Sequence, residues 1–318
     1  MVTFHALQWL GDPFWIGAAG VDVFFVISGF IIWRIAADGP APGAFLWRRV
    51  TRVAPAYWIA TLAVAALALA WPRLVPQVSL SPRHLILSLG FIQHTDPRGL
   101  VFPLLPPGWS LNYEAVFYLI VTAALFAPSA LRLRLVVGAL ACVMAFGFLH
   151  PPIYELGANP MMLQFAAGAG LARAHRTLDR AGPRTGLALA LAGLALLVAM
   201  ALTGLRSELF RPLLWGLPAT LIVAGALGLE RTLGARLPHA LTRLGDASYA
   251  VYLCHFPTVA LVATLLSPLT GALFVAAAIA ASLAAGLAFH RFVERPVIAA
   301  SRGLPTRLRS GAVLLQAR

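Results

Sequence analysis

The chain of 318 residues contains no lysine: its 24 basic residues are all arginine, set against 11 acidic ones. Charge of either sign is scarce at 11% of residues, while 60% are hydrophobic and the mean hydropathy is +0.84. That excludes an ordinary soluble domain, in which roughly a quarter of residues are charged, and places the chain in a bilayer. The net charge of +13 excludes little by itself. The arginines fall in short patches between long apolar runs rather than along one polar face, so no nucleic-acid partner is expected. Cysteine is nearly absent: Cys142 and Cys254 both lie inside apolar runs, which leaves neither a disulfide framework nor the ligand spacing of a zinc site, and no metal is expected. No basic region and small-residue cleavage site precedes the first long apolar run, so no cleavable signal peptide is read. No repeat of fixed period is found.

What is present in quantity is apolar sequence. Runs near the roughly 20 residues that cross a hydrocarbon core fall at 14–33, 53–71, 109–127, 135–150, 160–174, 186–204, 212–229, 246–266 and 270–290. The expected fold is all-α, a polytopic integral membrane helical bundle of about nine full spans plus a truncated first helix. The piece "HLILSLGFI" at 84–92 is too short to cross and reads as interfacial or re-entrant. With that piece kept on one side, Arg73, Arg83, Arg98, Arg206 and Arg211 fall on one face of the membrane and every other arginine on the opposite face. The positive-inside rule assigns the arginine-rich face to the cytoplasm, which predicts a cytoplasmic C-terminus. Residues 1–299 form one transmembrane domain on this reading, and 300–318 a basic cytoplasmic tail that touches anionic headgroups. The same parity puts "LGDP", residues 10–13, outside. Too few residues precede it to span, so Met1 is expected to be an internal methionine and "MVTFHALQW" the outer half of a helix.

Against this background, polar groups at membrane depth carry information, because each costs a few kcal/mol unless it faces protein or water. His5, Asp22, Glu114 and His255 are the main ones. By helical rise, Asp22 lies about 12 Å and Glu114 about 7 Å below the outer ends of their helices, and His255 roughly 13 Å from the cytoplasmic end of its own. Together they outline a polar path from midplane to exterior. Each also has a plain structural reading, as a cap, a dipole partner or a bond across a helix interface. Ser110, Glu114 and Tyr118 share one helical face at i, i+4 and i+8, which favours a functional cleft. In "FLWRRVTRVAPAYW", Arg49 and Arg52 share a face beside Arg48. Guanidinium groups so placed can grip phosphate through paired, charge-assisted bonds or serve as ordinary anchors.

Four stretches, "GVDVFFVISGFII", "RRVTR" followed by "APAYW", "GWSLNYEAVFYLI" and "GDASYAVYLCHFP", stand in the order and spacing of the membrane acyltransferase 3 family. The "LNYEAVFY" wording most resembles its exopolysaccharide-production branch. The likeness runs from His5 to about Arg295. The family's first helix usually carries an arginine about ten residues before its histidine, a position that would precede Met1.

The resemblance implies an integral membrane O-acyltransferase, most simply an O-acetyltransferase, in a bacterial inner membrane. It would take acyl groups from cytoplasmic acetyl-CoA or another acyl-CoA and deliver them to hydroxyls of an extracytoplasmic polysaccharide or lipid-linked glycan. His5 would be the acyl-transfer histidine, with imidazole suited to take a hydroxyl proton. Asp22 could orient it, and Glu114 would line the outer acyl path or orient the acceptor. Arg48, Arg49 and Arg52 would meet the donor phosphates, and Trp109, Asn112, Tyr118, Tyr249 and His255 would border the substrate path. Ser28 has no neighbouring base and no nucleophile elbow around it, and reads as packing glue beside Gly29. The rival class is a transporter or flippase that moves a glycan intermediate without chemistry; the inverted repeats and paired broken helices common in such proteins are not found.

Overall fold

The computed structural model describes residues 1–11, 15–149, 159–205, 207, 209–266 and 271–301. Residues 302–318 of the tail expected at 300–318, and residues 12 and 13 of "LGDP", lie outside the described residues. Among those described, helices and no strands occur.

In chain order the helices are α1 (Val2–Trp9), α2 (Ala19–Ala37), α3 (Pro42–Ala70), α4 (Pro82–Leu89), α5 (Trp109–Ala124), α6 (Ser129–Leu149), α7 (Leu163–Thr203), α8 (Leu217–Leu233), α9 (His239–Asp246), α10 (Ser248–Leu265) and α11 (Gly271–Phe289). Their local logic is readable. In α2 the acidic residue, Asp22, sits in the first turn and the basic one, Arg34, in the last, the arrangement that complements the helix dipole. Pro42 opens α3 in its first turn, where a missing N–H costs nothing. Pro55 and Pro257 lie inside α3 and α10, as membrane helices with packed neighbours tolerate.

Among the described residues, seven helical stretches are long and apolar enough to cross a membrane. They cover eight of the nine expected spans, because those at 160–174 and 186–204 fall in one helical run, Pro160–Thr203. That run breaks at Gly182, whose φ of 82° suits glycine, just before Pro183. The ninth, expected at 109–127, is α5, only 16 residues long. The outer surface is lipid-like. Leu202 is 83% exposed, Phe126 81% and Leu149 76%, a display that water would penalise and acyl chains do not.

Contact between helices rests on small residues, as membrane packing requires. Gly29 of α2 lies against the backbone of Phe165, and Gly168 of α7 against that of Val26, so a Cβ at either place has no room. Further along α7, Gly186 meets Gly225 and Gly228 of α8 in the same way. Asp179 and Arg231 pair at 3.3 Å, bringing the break in α7 to the end of α8.

The piece read as non-crossing forms α4, eight residues long and therefore about 12 Å. Hydrogen bonds pin it to its neighbours. Ser81 caps it by accepting the His84 N–H at 3.1 Å, Ser88 Oγ donates to the His84 carbonyl at 2.6 Å, and the Leu104 N–H donates to Ser88 at 2.8 Å. Trp58 of α3 donates its indole N–H to the Leu89 carbonyl at 2.8 Å. Beyond α4, His94 meets His84 at 2.6 Å; burial, with His94 adding to it, holds the His84 imidazole below its ordinary value. Burial works to raise the Asp96 carboxyl, but the Leu100 and Arg98 N–H groups and the Arg98 guanidinium, 2.8 Å away, outweigh it and hold it below the usual range.

The arginine asymmetry gives a direct expectation. In a variant lacking Cys142 and Cys254, a single cysteine placed at 95–105 should react with an impermeant thiol reagent in intact cells, and one at 38–46 only after permeabilisation. The reverse pattern would overturn the orientation.

Candidate active site

The interior holds a set of buried polar side chains that an apolar bundle has no packing reason to keep: Asp22, Ser28, Ser110, Asn112, Glu114, Gln164, His255 and Glu294. Glu114 is held by two short bonds. Its Oε1 accepts from Ser28 Oγ at 2.6 Å and from the Tyr118 hydroxyl at 2.7 Å. The face predicted from Ser110, Glu114 and Tyr118 is thus an actual polar face. At its start Ser110 Oγ lies 2.8 Å from the Tyr252 hydroxyl, which donates to the Pro107 carbonyl at 2.8 Å. Gly108 lets α5 begin against the ring of Tyr57, where a Cβ would stand 2.6 Å from a ring carbon.

Arg49 and Arg52 act electrostatically on Glu114, and Arg49 Nε is buried with no hydrogen-bond partner among the described residues. The outer acyl path was the expected place of Glu114; the partners its carboxylate has in the structure are Ser28 of α2 and Tyr118 of its own helix. On that face opens a cavity of about 920 Å3, lined by Arg52, Arg243, Arg291 and Arg295 together with Asp246, Glu294 and His290. Glu294 is already bonded by His290 Nδ1 at 2.7 Å, so the balance facing the cavity is cationic.

His5 sits elsewhere. Its Nδ1 lies 3.3 Å from Gln8 Oε1; with the amide in this orientation the oxygen only accepts, so Nδ1 carries the proton and Nε2 keeps its lone pair. The ring is flanked by Phe4, Phe256 and His255, with centroids at 4.9, 5.3 and 5.2 Å. His255 Nδ1 donates to the Tyr252 carbonyl at 2.6 Å, and its Nε2 is buried without a partner among the described residues. A cavity of about 200 Å3 borders His5, lined also by Gln8, Trp9, Gln77, Phe256 and Val259. A neutral imidazole with a free lone pair at a cavity wall has the form of a general base.

The guess that Asp22 orients His5 is not met. The Asp22 carboxylate accepts from Gln164 Nε2 at 2.5 Å and from Arg211 at 3.2 and 3.0 Å, and His255 and Gln8 are the polar neighbours of His5. Ser28, read as packing glue, instead donates to Glu114. Trp109 packs on Phe25 and Tyr113, Asn112 Oδ1 is buried without a partner among the described residues, and Tyr249 donates to the Val53 carbonyl at 2.9 Å, tying α10 to α3 just past Arg52. Arg48 is exposed on α3.

Comparison with known proteins decides the class. A family model described as an acyltransferase domain matches residues 1–291. The chain belongs to this acyltransferase family. Among its relatives, the exopolysaccharide production protein ExoZ of Rhizobium meliloti (strain 1021) is 35% identical over 320 residues, covering 98% of each chain. The "Putative membrane-bound transacylase BcsY" of Komagataeibacter xylinus is 29% identical over 342 residues, covering 100% of this chain and 84% of the relative. No solved structure matches. The protein is thus a multi-pass membrane acyltransferase of the class that transfers groups other than aminoacyl groups.

Several residues of this acyltransferase escaped sequence reading. Arg243, Arg291 and Arg295 were absorbed into the positive-inside pattern, although "HRFVERP" carries His290 and Glu294 at i, i+4 and so announces a paired face. Gln164 and Arg211 meet Asp22 from 142 and 189 residues away, a separation for which no local signal exists. Gln8 was legible as the i+3 neighbour of His5.

Proposed function

We propose that the acyltransferase moves an acyl group, most simply acetyl, from cytoplasmic acyl-coenzyme A to a hydroxyl of an extracytoplasmic polysaccharide or lipid-linked glycan, working in a bacterial inner membrane with its C-terminus in the cytoplasm. The observation that carries this reading is the division of polar chemistry between two cavities. One is cationic and large, on the arginine-rich face; the other is small and holds an imidazole poised as a base. A phosphate-bearing donor suits the first, because guanidinium groups bind phosphate oxygens in paired bonds. A neutral hydroxyl suits the second.

In this scheme Arg52, at the wall of the cationic cavity, and Arg49 beside it on α3 hold the donor, while Glu114 is fixed by Ser28 and Tyr118. At the outer cavity His5 Nε2 takes the acceptor hydroxyl proton as the oxygen attacks the acyl carbon. The ester C–O bond forms, the thioester C–S bond breaks, and the departing thiolate leaves as coenzyme A thiol with the proton that His5 had taken, which returns the imidazole to its neutral form. The name of the Rhizobium relative, an exopolysaccharide production protein, supports a glycan acceptor.

The test is chemical. Surface glycan from cells with and without the gene should differ in ester-linked acyl content while export continues. Unchanged esters with lost export would favour transport instead. Arg49→Lys keeps the charge but not the planar fork, and is expected to weaken acyl-coenzyme A binding to the purified protein about tenfold. Unchanged donor affinity and salt dependence in an Arg49→Ala, Arg52→Ala double variant would remove these arginines from the donor site.

A further inference from the structure

Beside His5 lies an amide that the scheme above does not use. Gln77 follows the short 3-10 turn Pro72–Leu74 and lines the same cavity of about 200 Å3. Both ends of its side chain, Nε2 and Oε1, are buried without a hydrogen-bond partner among the described residues. A buried amide with both donor and acceptor unpaired is rare, because leaving such groups unmade is costly. Its natural complement is a group that accepts and donates at once.

We propose that Gln77 is a specificity-determining residue of an acceptor-sugar subsite, its Nε2 donating to one hydroxyl and its Oε1 accepting from the neighbouring hydroxyl of a single pyranose ring. This rests on the acyl-transfer reading. Adjacent ring hydroxyls present the donor and acceptor spacing that one amide matches, and Gln77 thereby turns the reacting hydroxyl toward His5 Nε2. The remaining walls agree. Trp9, 45% exposed, and Phe256 offer apolar aromatic faces to the C–H side of a sugar. The volume lies below the roughly 300 Å3 at which pockets for drug-sized ligands begin, a size that suits a single ring seated in the cavity. An acyl chain alone in this cavity would leave the amide unpaired. The chemistry is that of the scheme: the hydroxyl proton passes to His5 Nε2, the C–O ester bond forms and the thioester C–S bond breaks.

The test uses the full chain in detergent, radiolabelled acetyl-coenzyme A as donor, and oligosaccharides from the de-esterified surface glycan of the producing cells as acceptor. Gln77→Leu keeps the bulk and removes both polar atoms. It is expected to raise the acceptor KM at least about tenfold, and to weaken oligosaccharide binding measured without donor by the same factor, while donor KM and thermal stability hold. Gln77→Glu, which retains only the acceptor, should fall between the two. Acceptor KM and binding unchanged in both variants would overturn the proposal and leave a cavity that holds water only. A loss of donor affinity and thermal stability in step with acceptor affinity, in both variants, would also overturn it, since Gln77 would then be a folding residue. Wild-type protein that binds the oligosaccharide through Gln77 but transfers no label would instead overturn the acyl-transfer reading and leave the subsite standing.

Discussion

Replacing His5 with alanine is expected to lower acyl transfer by about 10²- to 10⁴-fold, the usual contribution of a positioned general base. Three features single it out among the buried polar groups. Its Nδ1 is occupied by Gln8, which fixes the tautomer that leaves Nε2 as the lone-pair nitrogen. Its ring is held by Phe4 and Phe256, so the nitrogen does not wander. It borders a cavity that reaches residues of the arginine-poor side, Trp9 and Gln77. The substitution removes a polar group from a membrane-depth helix and so does not oppose insertion. Transfer of radiolabel from acetyl-coenzyme A to glycan in membrane vesicles, with protein quantified in the same membranes, gives the comparison. Gln8→Leu should cost less than His5→Ala, because it frees the ring without removing it. Retention of more than a third of wild-type transfer by His5→Ala would reduce His5 to a packing residue beside His255.

The membrane character of the fold was legible because hydropathy and arginine distribution act at the scale of whole helices, where single errors average out. The departures have local causes. The span expected from residue 53 belongs to a helix that begins at Pro42, since the arginines ahead of it, on the helical face read for Arg49 and Arg52, reach polar surroundings on long side chains while the backbone stays helical. The spans on either side of residue 182 join because Gly182 and Pro183 turn the chain in one residue where a connecting loop was expected.

The site divides in the same way. Ser110, Glu114 and Tyr118 lie on one helix, so their shared face could be read from spacing alone. The shared helical face of Arg49 and Arg52 was legible from their spacing, whereas Arg243, Arg291 and Arg295 looked identical to anchors. Gln77 carries no charge and sits in a connecting segment; nothing in a sequence distinguishes such an amide from solvent-facing loop polarity. Asp22 was visible as an intramembrane carboxylate, but its partner was not, and the nearest catalytic-looking group, His5, attracted the assignment.

That reassignment leads to the second large effect. Asp22 is fully buried and its carboxylate meets the Arg211 guanidinium at 3.0 Å, a side chain only 18% exposed, while Gln164 Nε2 donates to the other oxygen. Removing one member of a buried, hydrogen-bonded ion pair usually costs about 3–5 kcal/mol, because the partner's desolvation is no longer offset. Asp22→Ala is therefore expected to destabilise the folded protein by that order, read as a lower midpoint of thermal unfolding in detergent, and to loosen the packing of α2 against α7. Arg211→Met should cost at least as much, since it leaves a fully buried carboxylate with Gln164 but no counter-charge. The informative variant is the double one. If the pair acts as structure, Asp22→Ala combined with Arg211→Met should be more stable than Asp22→Ala alone, with a coupling of about 0.5–3 kcal/mol, and the folded fraction should retain acyl transfer. A double variant that regains stability but transfers nothing would return Asp22 to the chemistry, as a carboxylate that the reaction needs and the fold does not.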